Sequence, residues 1–406
     1  MQLYVPPNAD RLLVVISDIE MGAGGPTDDF PHTAFLADLI RRYTQPPYDT
    51  LKVEMVFNGD TFDLLKTALD ERYPRAITAA IAKQKFDRVL AVHGPFFDAL
   101  RDFVSHGDNV AHFIVGNHDF ELLFADVQDA IRERVDPTHP DRIQFPGFEL
   151  DIGEVHIEHG NQADPLFMVD ERRLFIDHHG ESILNLPWGC TAVIDVALPL
   201  QPYLYHLDRL KPRKQVFNLL PEVKELIISA YWKYWTRDYW GDFLRGRDPT
   251  KTVSWTMFRE IVGRFSTQNP DLDVGERYQR ALTATRGHEL TLIGHLHQPA
   301  WWSYAGRKLL QTGCFRDEYR LLGRTGGLKP IPKVYAEVYL KGDVLVRSQL
   351  VELEGPPAPE GHMPDDIFAV VAAVLPLLGT PGERAADARA QEQQERREAR
   401  QHKKSR

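Results

Sequence analysis

Five short polar clusters follow apolar runs along the chain. They are SDIE (Asp18, Glu20), NGDTFD (Asp60, Asp63), VGNHD (Asn117, His118, Asp119), IEHG (His159) and IGHLH (His295, His297). Carboxylate, amide and imidazole groups mixed in this way are oxygen and nitrogen donors, suited to Mn, Fe, Zn or Mg rather than to a thiolate-bound ion. SDIE sets two carboxylates two residues apart. On an extended strand, positions i and i+2 share a face, so Asp18 and Glu20 repel one another unless a cation or a pair of protons sits with them. Two cations ~3.5–4 Å apart need a bridging carboxylate, for which Asp60 is the candidate.

Each cluster needs an element to hold it. LLVVI precedes Asp18, VEMVF precedes Asn58 and HFIV precedes Gly116, with helical stretches between them. Strands alternating with helices predict an α/β sheet with functional loops at the strand ends. FELDI with EVHIEH, LTLIG and KVYAEVYLKGDVLVRSQLVEL read as further strands, the last turning as a hairpin at Lys341, Gly342 and Asp343. Residues 165–285 change texture: they look largely helical, are punctuated by Pro199, Pro202, Pro212 and Pro221, and hold five of the seven tryptophans. The expected organisation is a core in two parts, 1–164 and 286–355, interrupted by a helical cap at 165–285 and followed by a helix and charged tail at 356–406.

The five blocks resemble the calcineurin-like metallophosphoesterase superfamily, whose pattern runs D-x-H, G-D-x-x-D, G-N-H-D/E, H and G-H-x-H in this order. The last four blocks match position by position between residues 59 and 297. The resemblance implies a four-layer α/β/β/α sandwich and hydrolysis of a phosphoester or pyrophosphate bond by a hydroxide bridging two divalent ions. It implies that Asp18, Asp60 and His297 hold one ion and Asp60, Asn117, His159 and His295 the other. His118 would contact the scissile phosphate or protonate the leaving oxygen, oriented by Asp119, and Asp63 would support a ligand from behind or fix the loop after Asp60. The opening block departs from the pattern, with Glu20 where the family has His. Glu20 can reach the same ion with oxygen in place of nitrogen and is counted among its ligands; a carboxylate there makes the site harder, so the expected ions are Mn first, with Fe, Zn or Mg as the alternatives.

GDTFD and a single large insertion between the fourth and fifth blocks are similar to the layout of the UDP-2,3-diacylglucosamine pyrophosphohydrolase-like branch, whose helical lid is apolar on one side and basic on another. Here residues 184–207 contain one acidic residue and no Lys or Arg, followed by RLKPRK and then YWKYWTRDYWGDFLRGR. Arg209, Arg213, Lys214, Lys233 and Arg237 are the candidate substrate contacts, for a small, amphipathic, nucleotide-linked or lipid-linked phosphate. The aromatic run itself reads as helix core. A nuclease, a protein phosphatase or an inactive binding scaffold are the alternatives.

The bulk properties fit this reading. The chain has 406 residues, 43% hydrophobic, 10% aromatic and 26% charged, as a globular protein does. Its net charge of −10 argues against a stable nucleic-acid partner. Two cysteines make no disulfide framework, and no secretory signal is readable, which points to the cytoplasm. IFAVVAAVLPLLG falls short of the ~18–20 apolar residues of a membrane span. The basic tail end would allow at most a weak contact with a membrane surface.

Overall fold

In a computed structural model the chain is described over residues 5–245, 248–251, 254–267, 287–323 and 326–378, and it forms a mixed α/β fold around two sheets. The first sheet takes β1 (Arg11–Ile16), β2 (Lys52–Asn58), β3 (Val110–Ile114) and β4 (Ile143–Gly147) in parallel. Its other edge is the hairpin of β15 (Lys333–Lys341) and β16 (Val344–Leu353), with β15 antiparallel to β1. The hairpin turns at Gly342, in the left-handed region with φ 59°. The second sheet runs β11 (Ala300–Tyr304), β12 (Arg307–Gln311), β10 (Leu290–Ile293), β6 (Val155–Glu158) and β5 (Glu149–Ile152). Its three inner strands are parallel and its two edges antiparallel.

LLVVI and its counterparts are apolar at consecutive positions because both faces of their sheet are covered. Odd positions of β1, Leu13 and Val15, meet Val155, Ile157, Leu290 and Leu292 of the second sheet in one buried cluster. Even positions, Leu12, Val14 and Ile16, face the helices α1 (Thr33–Arg42), α2 (Ala79–Val92), α3 (Gly94–Val104) and α4 (Ala125–Val135) through a larger cluster rich in phenylalanine. One ion pair is sealed into this layer: Lys85 of α2 meets Glu121 at 2.5 Å, with side chains 1% and 4% exposed. Lys85→Met leaves a buried carboxylate without its partner and is expected to cost roughly 3–5 kcal/mol, read as a lower urea midpoint; a change below about 1 kcal/mol would contradict it.

Residues between the two parts of the core differ in part from the helical expectation. A hairpin of β7 (Phe175–His178) and β8 (Glu181–Leu184) comes first, so Asp177, His178 and His179 lie on a strand and its turn rather than on a helix. Gly180, with φ 85°, makes the reversal. Helical turns then run through α5 (Trp188–Ala192), α6 (Gln201–Asp208), α7 (Arg213–Leu219), α8 (Pro221–Lys233), α9 (Trp240–Arg245) and α10 (Trp255–Thr267). Their shared core is aromatic: Trp188, Tyr234, Trp235 and Tyr239 are buried together. Between α6 and α7, β9 (Leu210–Lys211) pairs with β13 (Tyr319–Leu322), which pairs with β14 (Gly327–Pro330), so the insertion is stitched back to the core. A last helix, α11 (Ile367–Leu378), follows, and the charged tail lies outside the described residues. Among the described residues, no helix is long and apolar enough to cross a membrane.

Candidate metal centre

All five clusters arrive at one rim, because β1, β2 and β3 are parallel, β6 and β10 are parallel, and each cluster follows the end of its strand. Loop backbones bind one another there: Asp18 N–H donates to Gly59 O (3.2 Å), Glu20 N–H to Asp60 O (2.8 Å) and Gly294 N–H to His159 O (2.8 Å). Of the nine described non-glycine residues with positive φ, five are Asp18, Glu20, Asp60, His295 and His297. Left-handed backbone is unfavourable for such residues and persists where surrounding structure enforces it, most often at functional sites. The extended-strand argument for Asp18 and Glu20 is therefore corrected: β1 ends at Ile16, and the two carboxylates converge through left-handed turns rather than through the pleat.

On one side, ligand atoms of Asp60, His159 and His295 lie within 4.8 Å of one another. His159 Nε2 is 3.2 Å from Asp60 Oδ2 and 3.3 Å from Asn117 Oδ1. The other ring nitrogen, Nδ1, is bonded to Asn58 O at 2.9 Å, which fixes the ring and directs Nε2 into the cluster. His295 Nε2 lies 3.5 Å from Asp164 Oδ2. On the other side, Asp18 Oδ1 faces His297 Nε2 at 3.3 Å and His159 Nε2 at 3.9 Å. That oxygen is buried without a hydrogen-bond partner, which fits a cation donor. His297 is held from behind by Glu318 Oε1 at 2.8 Å. The donor set is the mixed O and N kind expected from the sequence.

Close packing leaves no room for error behind these groups. A Cβ on Gly116 would overlap the Asp60 carboxylate, and one on Gly294 would overlap Ser17 and Asp18. Gly116→Ala is expected to push Asp60 out of place, with ion affinity down at least tenfold and a Tm lower by several degrees. Calorimetric ion titration alongside thermal melting checks both, and wild-type affinity in the variant would show that the contact yields.

His118 and Asp119 divide their work differently from expectation. His118 Nδ1 is bonded to Asp63 Oδ1 at 2.9 Å, and its backbone N–H donates to Asp60 Oδ1 at 2.7 Å. Asp119 instead accepts from the backbone of Gly116 (2.7 Å) and Thr61 (2.8 Å), clamping two loops together. The residue that orients His118 is thus Asp63, and Asp119 shapes the loop. Burial would lower the His118 pKa, but Glu20, Asp60 and Asp63 outweigh it and raise it to about 9. Burial and the Asp60 charge push Asp119 up to about 7, and burial at His159 is outweighed by Asp60 and Asp18, giving about 9.

Glu20 is the largest surprise. Its Oε1 and Oε2 accept from Arg316 Nη1 at 3.0 and 2.9 Å, and Oε2 also from Lys66 Nζ at 2.8 Å. His297 Nε2 stands 3.6 Å from Oε1. The cations beside this carboxylate belong to the protein itself. Arg316 follows β12 in the run CFRDE, one more polar tip after an apolar strand, so the sequence did carry a signal for it and for Glu318. Lys66 stands three residues after Asp63 and pairs with it at 3.1 Å.

The insertion touches the centre through Cys190 Sγ, 3.3 Å from Asn117 O, and through Phe167, whose ring centroid is 5.6 Å from that of His295. Arg209 is not a substrate contact: fully buried, it donates to Asp29 Oδ1 and to the carbonyls of Pro26, Asp28 and His362, and ties the insertion to the loop after β1. Arg213 pairs with Asp208 at 3.0 Å, which in turn pairs with Arg316 at 2.8 Å, one ion pair removed from Glu20. Lys214, Lys233 and Arg237 are exposed on α7, on α8 and on the turn after it.

No family model and no curated protein matches the chain. Solved structures resemble it loosely. A predicted phosphoesterase from Streptococcus pneumoniae TIGR4 shares 11% identity at TM-score 0.24, over 84% of this chain and 97% of that one. A putative 5'-nucleotidase from Staphylococcus aureus shares 12% at 0.31, over 89% of this chain and 58% of that one. A phosphopantetheinyl hydrolase from Mycobacterium tuberculosis shares 12% at 0.26, over 76% and 91%. Overlaps of this size carry neither fold nor activity across, and the chemistry of the centre stands on its own residues.

Proposed function

We propose that this chain is a metal-dependent hydrolase of phosphoester or phosphoric anhydride bonds, of the calcineurin-like kind. The observation that carries the reading is the meeting of Asp60, Asn117, His159 and His295 at one rim, with an imidazole, His118, locked beside them on Asp63. Asp60, Asn117, His159 and His295 would hold one divalent ion, and Asp18 with His297 would face a second. A bound divalent ion supplies positive charge to phosphate oxygens and lowers the pKa of a nearby water.

The chain's own groups supply the rest. Asp63 takes His118 Nδ1, which leaves Nε2 to reach the bridging or leaving oxygen of a phosphate. Glu318 and Asn58 hold His297 and His159 in the orientation that presents Nε2. Cys190 and Phe167 bring the insertion against the centre, which favours a small phosphate ester over the open groove a protein phosphatase needs. A nucleotide-linked or lipid-linked phosphate is the substrate class proposed, as in the layout of the UDP-2,3-diacylglucosamine pyrophosphohydrolase-like branch; Arg213, Lys214, Lys233 and Arg237 remain the candidate anchors for its charge.

Purified protein supplied with Mn is expected to cleave bis-p-nitrophenyl phosphate, p-nitrophenyl phosphate or a nucleotide diphosphate ester, and to lose that activity to a chelator. Absence of turnover on all of them with every divalent ion tried would sink the enzyme reading and favour a binding scaffold.

A further inference from the structure

Building on the metal-centre reading above, we propose that Arg316 and Lys66 stand in for the charge of one ion. Glu20 positions them, and the centre holds a single divalent ion tightly, at Asp60, Asn117, His159 and His295.

The two sides of the rim are unequal in what already occupies their donors. Both oxygens of Glu20 are committed to Arg316 Nη1, and Oε2 to Lys66 as well. Neither cation is a loose surface group: their side chains are 3% and 11% exposed. Lys66 spends its ammonium on Glu20, Asp29 and Asp63, at 2.8, 2.8 and 3.1 Å. Arg316 reaches Asp29 at 3.2 Å and Asp208 at 2.8 Å with its other amino group. An ion drawn to Glu20 would sit within a few ångströms of a guanidinium that has nowhere else to go, and like charges repel strongly where water is excluded.

The opposite side has no such competitor. Among the described residues, the ligand-type atoms of Asp60, Asn117, His159 and His295 have no Lys or Arg partner; they meet histidine rings, carboxylates and backbone. A divalent ion there is opposed by no Lys or Arg among the described residues. Asp18 Oδ1 and His297 Nε2, with the shared Asp60, remain available for a second ion, but without the Glu20 carboxylate, which Arg316 and Lys66 occupy. Glu20 is accordingly a positioning residue, and the second ion is held roughly a hundredfold more weakly than the first.

The test is an ion count. The full chain is stripped with a chelator, dialysed and titrated with Mn by calorimetry, with elemental analysis of the loaded protein. One tight ion per chain is expected. Glu20→Gln should leave that stoichiometry and affinity within about threefold, whereas a ligand role predicts the loss of an ion. Arg316→Gln should tighten the second ion at least tenfold, because the competing charge is gone; Lys66→Gln, at the more exposed of the two cations, should act in the same direction if the arginine variant fails to fold. Two equally tight ions in the wild type, or loss of one on Glu20→Gln, would overturn the proposal and leave the metal-dependent reading intact. No tight ion in the wild type would overturn both.

Discussion

Replacing His118 by alanine is expected to lower turnover about 10²–10⁴-fold, the range typical of a removed general acid or base, while the tightly held ion stays. The separation is built into the geometry. His118 supports Asp60 through its backbone N–H, which alanine retains, and its side chain is fixed on Asp63 rather than on any of the donors that gather at His159. Turnover on an activated ester, whose leaving group needs no proton, should fall least if the imidazole donates that proton. Loss of the ion on elemental analysis would instead place His118 among the structural supports of the centre.

Asp60→Asn should have the larger effect on binding. The carboxylate lies between the two sides of the rim, with Oδ1 on the His118 backbone and Oδ2 at 3.2 Å from His159 Nε2. Burial opposes its ionisation, yet His159 and His118 hold its pKa well below the usual carboxylate range, so it is a charge at any working pH. Asparagine keeps the shape and the acceptor for the His118 N–H, but removes the charge that opposes the ion's own. Ion affinity is expected to drop at least a hundredfold and turnover to reach background, with Tm lowered as well, since His159 loses its buried charge partner. An ion retained at wild-type affinity would mean that another carboxylate anchors it.

What the sequence determined by itself is the local half of this architecture. An unbroken apolar run such as LLVVI, bounded by turn residues, reads as a strand covered on both faces, and the polar residues after it as the loop at the strand's end. Because parallel strands all end on the same side, strands that pair in parallel must deliver Asp18, Asp60 and His118 to one edge, and the residue types then name the chemistry. Tertiary structure decided which charges face one another. Glu20 and Arg316 are separated by 296 positions, and Glu20 and Lys66 by 46; no periodicity links them. Asp119 adjoins His118 in the chain yet turns to the Gly116 and Thr61 backbone, while Asp63, 55 positions away, takes the imidazole. Arg209 read as a candidate substrate contact and is buried in the seam. The physical reason is common to all of these: an element's type follows from neighbours a few residues away, whereas the partner of a buried charge is whichever group the returning chain sets within about 3 Å, and burial makes that single pairing dominate the rest.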